Sequence, residues 1–161
     1  MRYYLDCEFN GMGGELLSLA LVCENQTRHS LYLVREGMPD VEPWVAENVL
    51  PIIHADTNAP GPRIVLVTPL SEWASAIESI LEGDSDVTII TDWPDDIKYF
   101  CELIITGPGT MINVRPGIKF EMHRVDAYPS RLRDAVQHNA YWDALALRDR
   151  LERMRLEEAG A

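Results

Sequence analysis

Three apolar segments in the first 34 residues, joined by short polar or glycine-rich turns, constrain the fold more than any other feature of the chain. They are residues 2–6, 15–24 and 30–34, and the turns contain the sequences NGMGG and ENQTR. Turns of this length join neighbouring antiparallel strands. Residues 2–34 therefore predict a three-stranded antiparallel meander, although the length of the second segment leaves a helix open.

The rest of the chain alternates between helical and strand patterns. Periodicity and caps predict helices over residues 43–53, 71–81, 94–105 and 139–156, with Ser71 as the N-cap of the second. Residues 86–91 predict a buried strand. Residues 54–62 are expected to form a loop, and residues 106–133 to be irregular or weakly extended. Because no repeat or linker interrupts the pattern, we expect residues 1–161 to form one mixed α/β domain.

Composition narrows the class of protein. The chain has 161 residues, of which 47% are hydrophobic, and no apolar run reaches the roughly 18 residues of a membrane span. This excludes extensive disorder and predicts a globular protein without a membrane partner. The first residues lack the apolar core of a signal peptide, and the three cysteines are an odd number without paired spacing. We therefore expect reduced thiols and a cytoplasmic location.

The charge is unevenly distributed. A formal net charge of −12 argues against binding nucleic acid by charge alone. Residues 1–112 contain 5 basic and 18 acidic residues, whereas residues 113–155 contain 9 basic and 6 acidic residues. The early acids either form a solvated surface or include carboxylates that surround a divalent metal.

Three groups of residues could carry metal chemistry. Asp6 and Glu8 lie two apart at the end of the first strand, so their carboxylates share one face. Two converging carboxylates repel each other, and a cation such as Mg²⁺ or Mn²⁺ relieves the repulsion. The alternative is two solvated acids at a strand end.

The second group follows the buried strand at residues 86–91. Asp96 falls in the first turn of the next helix, where a carboxylate also stabilises the helix dipole, so capping alone explains it. Asp92, which ends the strand, and Asp95 compete with Asp96 for a functional role.

The third group is the sequence HNAYWD near the last helix. His138 precedes that helix and Asp143 lies in its second turn. A histidine in a loop can accept a proton near neutral pH. The alternative is a structural histidine beside a solvent-facing acid.

The order and spacing of these groups resemble a known family. The motifs YLDCEFNG, DDIKYF and HNAYWDALALRD span residues 3 to 149. Together they resemble the DEDD-type 3′–5′ exonucleases of the histidine variant, in the ribonuclease-H-like superfamily, and most of all the small bacterial and phage relatives of ribonuclease T and oligoribonuclease. Cys7 replaces the usual threonine, and Thr-Asp-Trp-Pro stands where His-Asn usually precedes the second aspartate. The spacing to Tyr99 and Phe100 favours Asp96 over Asp92.

The resemblance implies a fold, an activity and a set of ligands. The fold would be a mixed sheet with an antiparallel meander followed by parallel strands and with helices on both faces. Asp6, Glu8, Asp96 and Asp143 would bind two Mg²⁺ or Mn²⁺ ions, and His138 would be the general base. The chain would remove nucleoside 5′-monophosphates from the 3′ ends of single-stranded or overhanging RNA. By analogy with the family, a homodimer is a further expectation.

Two segments are candidates for binding the strand end. Phe9, Asn10 and Gly11 follow Glu8 and would lie beside the terminal nucleotide, with core packing as the alternative for Phe9. Arg131 and Arg133 belong to a segment that could contact phosphates or form an ordinary charged loop. The basic residues of this segment are Arg115, Lys119, Arg124, Arg131 and Arg133.

Three other functions remain open. One is a 3′–5′ DNA exonuclease of the same fold, and another is a module that binds nucleic-acid ends without catalysis. The third is an acidic metal-dependent phosphatase, which would normally use a DxD motif rather than the DxE at Asp6 and Glu8.

Overall fold

A mixed six-stranded sheet forms the centre of the protein in the computed structural model, which describes residues 1–114 and 117–160. Its order is β4-β3-β2-β1-β5-β8, and β6 and β7 form a separate hairpin. The strands are β1 (Arg2–Phe9), β2 (Leu16–Cys23), β3 (Ser30–Arg35), β4 (Arg63–Thr68), β5 (Val87–Thr91), β6 (Ile105–Gly107), β7 (Thr110–Met111) and β8 (Ile118–Met122).

The predicted antiparallel meander is confirmed. β1 pairs antiparallel with β2, and β2 with β3. The second segment is a strand and not a helix, and all of its residues are buried between two helical layers. β5 and β8 continue the sheet in parallel on the other side of β1. The coarse fold class, α/β with antiparallel and parallel strands in one sheet, is therefore established.

Four α-helices cover the two faces of the sheet within the described residues. They are α1 (Pro43–Asn48), α2 (Leu70–Leu81), α3 (Pro94–Ile104) and α4 (Ala140–Ala159). α2 and α3 pack on the face that carries Tyr3, Leu5 and Cys7. α1 and α4 pack on the opposite face, against Tyr4 and its neighbours. Among the described helices, none is long and apolar enough to cross a membrane.

Some predicted boundaries are wrong for local reasons. The helix predicted over residues 43–53 ends at Asn48 and is followed by a 3₁₀ turn, Leu50–Ile52, because Pro51 lacks the N–H that an α-helix needs. Ser71 is not the N-cap of α2: the helix begins at Leu70, and Pro69 holds the capping position with extended backbone. Asn139 caps α4 and accepts a hydrogen bond from the backbone N–H of Trp142.

Three segments are more ordered than predicted. Residues 54–62 contain a 3₁₀ turn, Ala55–Asn58, and residues 106–133 contain strands β7 and β8. β4 was not predicted at all. It pairs in parallel with β3 at the edge of the sheet, and Ile64, Val65, Leu66 and Val67 are exposed there.

Two parallel strands and one tight turn position the acidic residues. β1 and β5 run in the same direction, so their carboxyl ends meet at one edge, where α3 begins. The turn between β1 and β2 closes on itself: a Cβ atom on Gly14 would lie 1.7 Å from the carbonyl oxygen of Asn10. The hydroxyl of Tyr99 in α3 donates a hydrogen bond of 2.5 Å to the carbonyl oxygen of Gly14. Helix α3 is thereby fixed to this turn.

Candidate active site

The first group of acids lies between β1 and α4. Because side chains alternate along a strand, Asp6 and Glu8 share the face of Tyr4, which α4 covers. Asp143 is in the first turns of α4, close to the cap at Asn139. One carboxylate oxygen from each of Asp6, Glu8 and Asp143 lies within 4.8 Å of the others. The structure thus brings together residues from the two ends of the chain.

The second group shares Asp6 with the first. Oxygens of Asp6, Asp92 and Asp96 also lie within 4.8 Å of one another. Asp96 is almost completely buried and accepts a hydrogen bond of 2.6 Å from the hydroxyl of Thr91. Both Asp92 and Asp96, which competed in the sequence, belong to this group. Asp95 instead accepts a hydrogen bond from the indole N–H of Trp93.

The five carboxylates destabilise one another's charged forms. Burial raises the pKa of Asp6 well above its usual range, and the charges of Asp96, Asp143 and Glu8 raise it further. Burial also raises the pKa of Asp96 to about 8 and that of Asp143 to about 7. Among the described residues, no basic side chain forms an ion pair with any member of the two groups. Divalent cations would supply the missing positive charge.

His138 stands beside these acids in an unusual backbone conformation. Its φ angle is +64°, in the left-handed region that non-glycine residues seldom adopt. The imidazole meets the ring of Trp44 edge-on at 5.1 Å between centroids. Burial lowers the pKa of His138 below its ordinary value of 6.5, so the ring is neutral near pH 7 and can accept a proton.

An open cleft of about 460 Å³ connects the acids with His138. The segment that follows β8 forms its other wall. Arg124 in this segment donates a hydrogen bond of 2.8 Å to the carbonyl oxygen of Asp92 and lies 4.7 Å above the ring of Trp93. The lining residues are Asp6, Cys7, Glu8, Phe9, Asp92, Trp93, Asp96, Arg124, Val125, Asp126, Ala127, Tyr128, Gln137, His138 and Asp143.

The residues proposed to contact the terminal nucleotide have different surroundings. Phe9 lines the cleft and also packs on Tyr99, with 5.0 Å between ring centroids. Gly11 has φ +67° and lines a neighbouring apolar cavity. Asn10 uses its amide to hold the loop before α1: it donates to the carbonyl oxygen of Asp40 and accepts from the N–H of Glu42. The structure gives Asn10 a structural role and leaves Phe9 and Gly11 near the cleft.

The basic residues predicted to bind phosphate are dispersed. Arg131 lines a separate cavity next to the cleft. The side chain of Arg133 is 94% exposed and lies near Asp134. Lys119 pairs with Asp86, Arg124 lines the cleft, and Arg115 lies outside the described residues. Arg133 therefore has no contact that relates it to the acids.

Two tryptophans near the acids were not predicted. Trp44 and Trp93 are 54% and 45% exposed, and both line an apolar cavity of about 470 Å³ that shares Cys7, Glu8 and Phe9 with the cleft. The position of Trp93, directly after Asp92, could have revealed it. No sequence signal locates Trp44, because it reaches the site only through the packing of α1.

Comparison of the sequence with models of known protein families gave no match, and neither did comparison with curated proteins.

Proposed function

We propose that the chain is a metal-dependent exonuclease that hydrolyses single-stranded or overhanging RNA from the 3′ end and releases nucleoside 5′-monophosphates. The observation that carries the proposal is the pair of carboxylate groups that share Asp6 and adjoin His138. The mixed sheet, with its meander followed by parallel strands, is compatible with the ribonuclease-H-like fold that the motifs imply.

The donor set fits two divalent cations. All donors are carboxylate oxygens, which Mg²⁺ and Mn²⁺ prefer, and Asp6 belongs to both groups, as a ligand shared by two neighbouring ions would. Glu8 and Asp143 would complete one site, and Asp92 and Asp96 the other. When bound, two such ions stabilise the attacking and the leaving oxygens of a phosphodiester.

The other residues of the cleft bind and orient the strand end. His138, neutral near pH 7, takes the proton from the attacking water. Trp44 and Trp93 offer exposed rings on which nucleobases stack. The cavity that both rings line accepts any of the bases, because every base has a flat face. The cleft is open to solvent, so the end of a single strand can enter it.

A nuclease assay tests the proposal. Single-stranded RNA labelled at its 5′ end should be shortened stepwise in Mg²⁺ or Mn²⁺, and a matched DNA strand decides between the two nucleic acids. EDTA and the Asp6→Asn variant should each abolish the reaction. Asp86→Asn is the matched control, because Asp86 is an exposed acid at the opposite end of β5 and lies outside both carboxylate groups. Activity that survives in Asp6→Asn or in EDTA would contradict the proposal.

A further inference from the structure

A third cavity, distinct from the cleft and from the apolar cavity at Trp44 and Trp93, is lined by three arginines. Arg150 and Arg153 come from α4, and Arg131 ends the 3₁₀ turn Pro129–Arg131. The cavity measures about 410 Å³, within the range that small-molecule sites occupy. Ala146, Arg150 and Arg153 lie on one face of α4, and the small side chain of Ala146 leaves room between the arginines. We call this cavity the arginine pocket.

The three arginines of the pocket outnumber the two acids beside them, Asp126 and Asp149. Within residues 1–114 and 117–160, neither Arg131 nor Arg150 forms an ion pair. Arg153 pairs with Asp149 at 2.8 Å, and Asp126 is the acid that lines the pocket. A guanidinium group without a carboxylate partner, as at Arg131 and Arg150, is suited to phosphate, which it binds in bidentate geometry.

The arginine pocket shares a wall with the active-site cleft. The segment of Asp126, Ala127 and Tyr128 lines both cavities. The cleft and the arginine pocket are therefore separated by this short segment. Tyr128, which lines both cavities, is 57% exposed. A strand whose 3′ end lies among the acids can therefore cross this wall and bring an earlier phosphate to Arg131 and Arg150.

We infer that the arginine pocket is a phosphate-binding subsite that holds the backbone of the substrate strand upstream of the bond to be cleaved. The assignment to a strand rests on the proposed function, whereas the affinity of three guanidinium groups for phosphate does not require catalysis. The subsite explains how a chain with a net charge of −12 binds nucleic acid: attraction is concentrated in one pocket, away from the acids.

Binding measurements with a variant that cannot cleave test the inference. In Asp6→Asn with Mg²⁺, the added change Arg150→Gln should weaken binding of a fluorescent single strand of about eight nucleotides by about tenfold. Binding of a dinucleotide, whose one internucleotide phosphate is the one at the acids, should stay the same. For the longer strand, the slope of log K against the logarithm of salt concentration should become smaller in magnitude by about 0.7, the value for one lost phosphate contact on a single strand.

Arg155→Gln is the matched control. Arg155 is on the same helix, lies outside the pocket and pairs with Glu24, so its loss should change strand binding by less than about twofold. Equal effects of the two substitutions would overturn the inference. An equal loss for the dinucleotide would also overturn it, because the pocket would then act on the strand end itself.

Two further measurements separate this inference from the proposed function. The first is the binding of inorganic pyrophosphate. If pyrophosphate binds through Arg150 and the longer strand does not bind, the pocket is a site for a free phosphate ligand, and the assignment to a strand is overturned. Strand binding that depends on Arg150 in a wild-type protein without hydrolysis would support the subsite and contradict the nuclease.

Discussion

The carboxylates at the two ends of the sheet have opposite surroundings. At the end where β1 and β5 begin, Asp84 is paired with Arg28 and accepts a hydrogen bond of 2.8 Å from the hydroxyl of Tyr3. At the same end, Asp56 in the 3₁₀ turn Ala55–Asn58 pairs at 2.9 Å with Arg63, the first residue of β4. At the other end, Asp6 and its four acidic neighbours converge, and none of them forms an ion pair among the described residues.

The difference distinguishes structural acids from functional ones. A buried carboxylate with a guanidinium partner satisfies its charge within the fold, and removing either partner exposes the other to an unfavourable environment. Buried carboxylates that repel one another reduce the stability of the fold, and ligand binding can offset that loss. In this molecule the unpaired end is also the end with an open cleft and exposed aromatic rings.

The largest expected effect is on catalysis. Asp96→Asn should lower the rate of RNA hydrolysis by about a hundredfold or more, because it removes a charge from the group that would hold one cation. Asp84→Asn should leave the rate per folded molecule within about twofold. Hydrolysis of a labelled strand, with circular dichroism to confirm folding, measures both. Similar losses in the two variants would remove the distinction between the two ends.

The same two variants should have the opposite ranking in stability. Asp84→Asn should lower the free energy of unfolding by about 2 kcal/mol, because Arg28 and the hydroxyl of Tyr3 lose a charged partner. Asp96→Asn should raise it by about 1 kcal/mol in EDTA at pH 8, because one of the mutually repelling charges is gone. Urea denaturation of both variants measures the effects, and destabilisation by Asp96→Asn would show that the cluster is structural.

The metal-free protein should lose stability as the pH rises. Folding raises the pKa of Asp96 from 3.8 to about 8 and that of Asp143 to about 7, so the folded state retains protons that the unfolded state releases. Their contribution is complete below pH 3.8 and is lost as the pH rises through 7 and 8. Thermal melts in EDTA across this range measure the loss. Mg²⁺ should remove most of it, and Asp96→Asn should reduce it.

The smallest expected effect comes from substitution of a tryptophan, because tryptophans in the core and at the cleft differ in exposure. Trp73 is fully buried and its indole N–H donates to the carbonyl oxygen of Thr68, whereas Trp44 is more than half exposed. Trp44→Ala should raise KM for single-stranded RNA by about fivefold to tenfold through lost base stacking, with little change in stability. Trp44→Phe should restore most of the affinity. A change in kcat with unchanged KM would argue against stacking.

Local patterns were sufficient for much of the sheet. The three segments within residues 2–34 are joined by short turns, so their antiparallel pairing follows from the length of those turns. β4 was missed although residues 63–68 are rich in β-branched side chains. Its partner β3 is separated from it in the sequence by α1 and two 3₁₀ turns, so no local pattern indicates the pairing. Its parallel pairing is a property of the assembled fold.

The site was predictable as far as its residues follow from strand alternation and motif order. Asp6 and Glu8 share a face for the reason that the sequence suggests, and Asp143 joins them as the motifs imply. The sequence left Asp92 and Asp96 as rivals, because only the three-dimensional turn between β5 and α3 shows that both reach Asp6. Arg150 was not predicted, because the helical pattern does not reveal which surface faces residues 126–131.

The turn that Gly14 closes has a consequence for how the protein tolerates mutation. Every other amino acid would place a Cβ atom 1.7 Å from the carbonyl oxygen of Asn10, so the turn would have to open. Opening it would move Glu8, which adjoins the irregularity in pairing at the end of β1, and would strain the hydrogen bond from Tyr99. A residue without a functional group is thus as irreplaceable as the acids themselves, and a library of variants would identify Gly14 as if it belonged to the site.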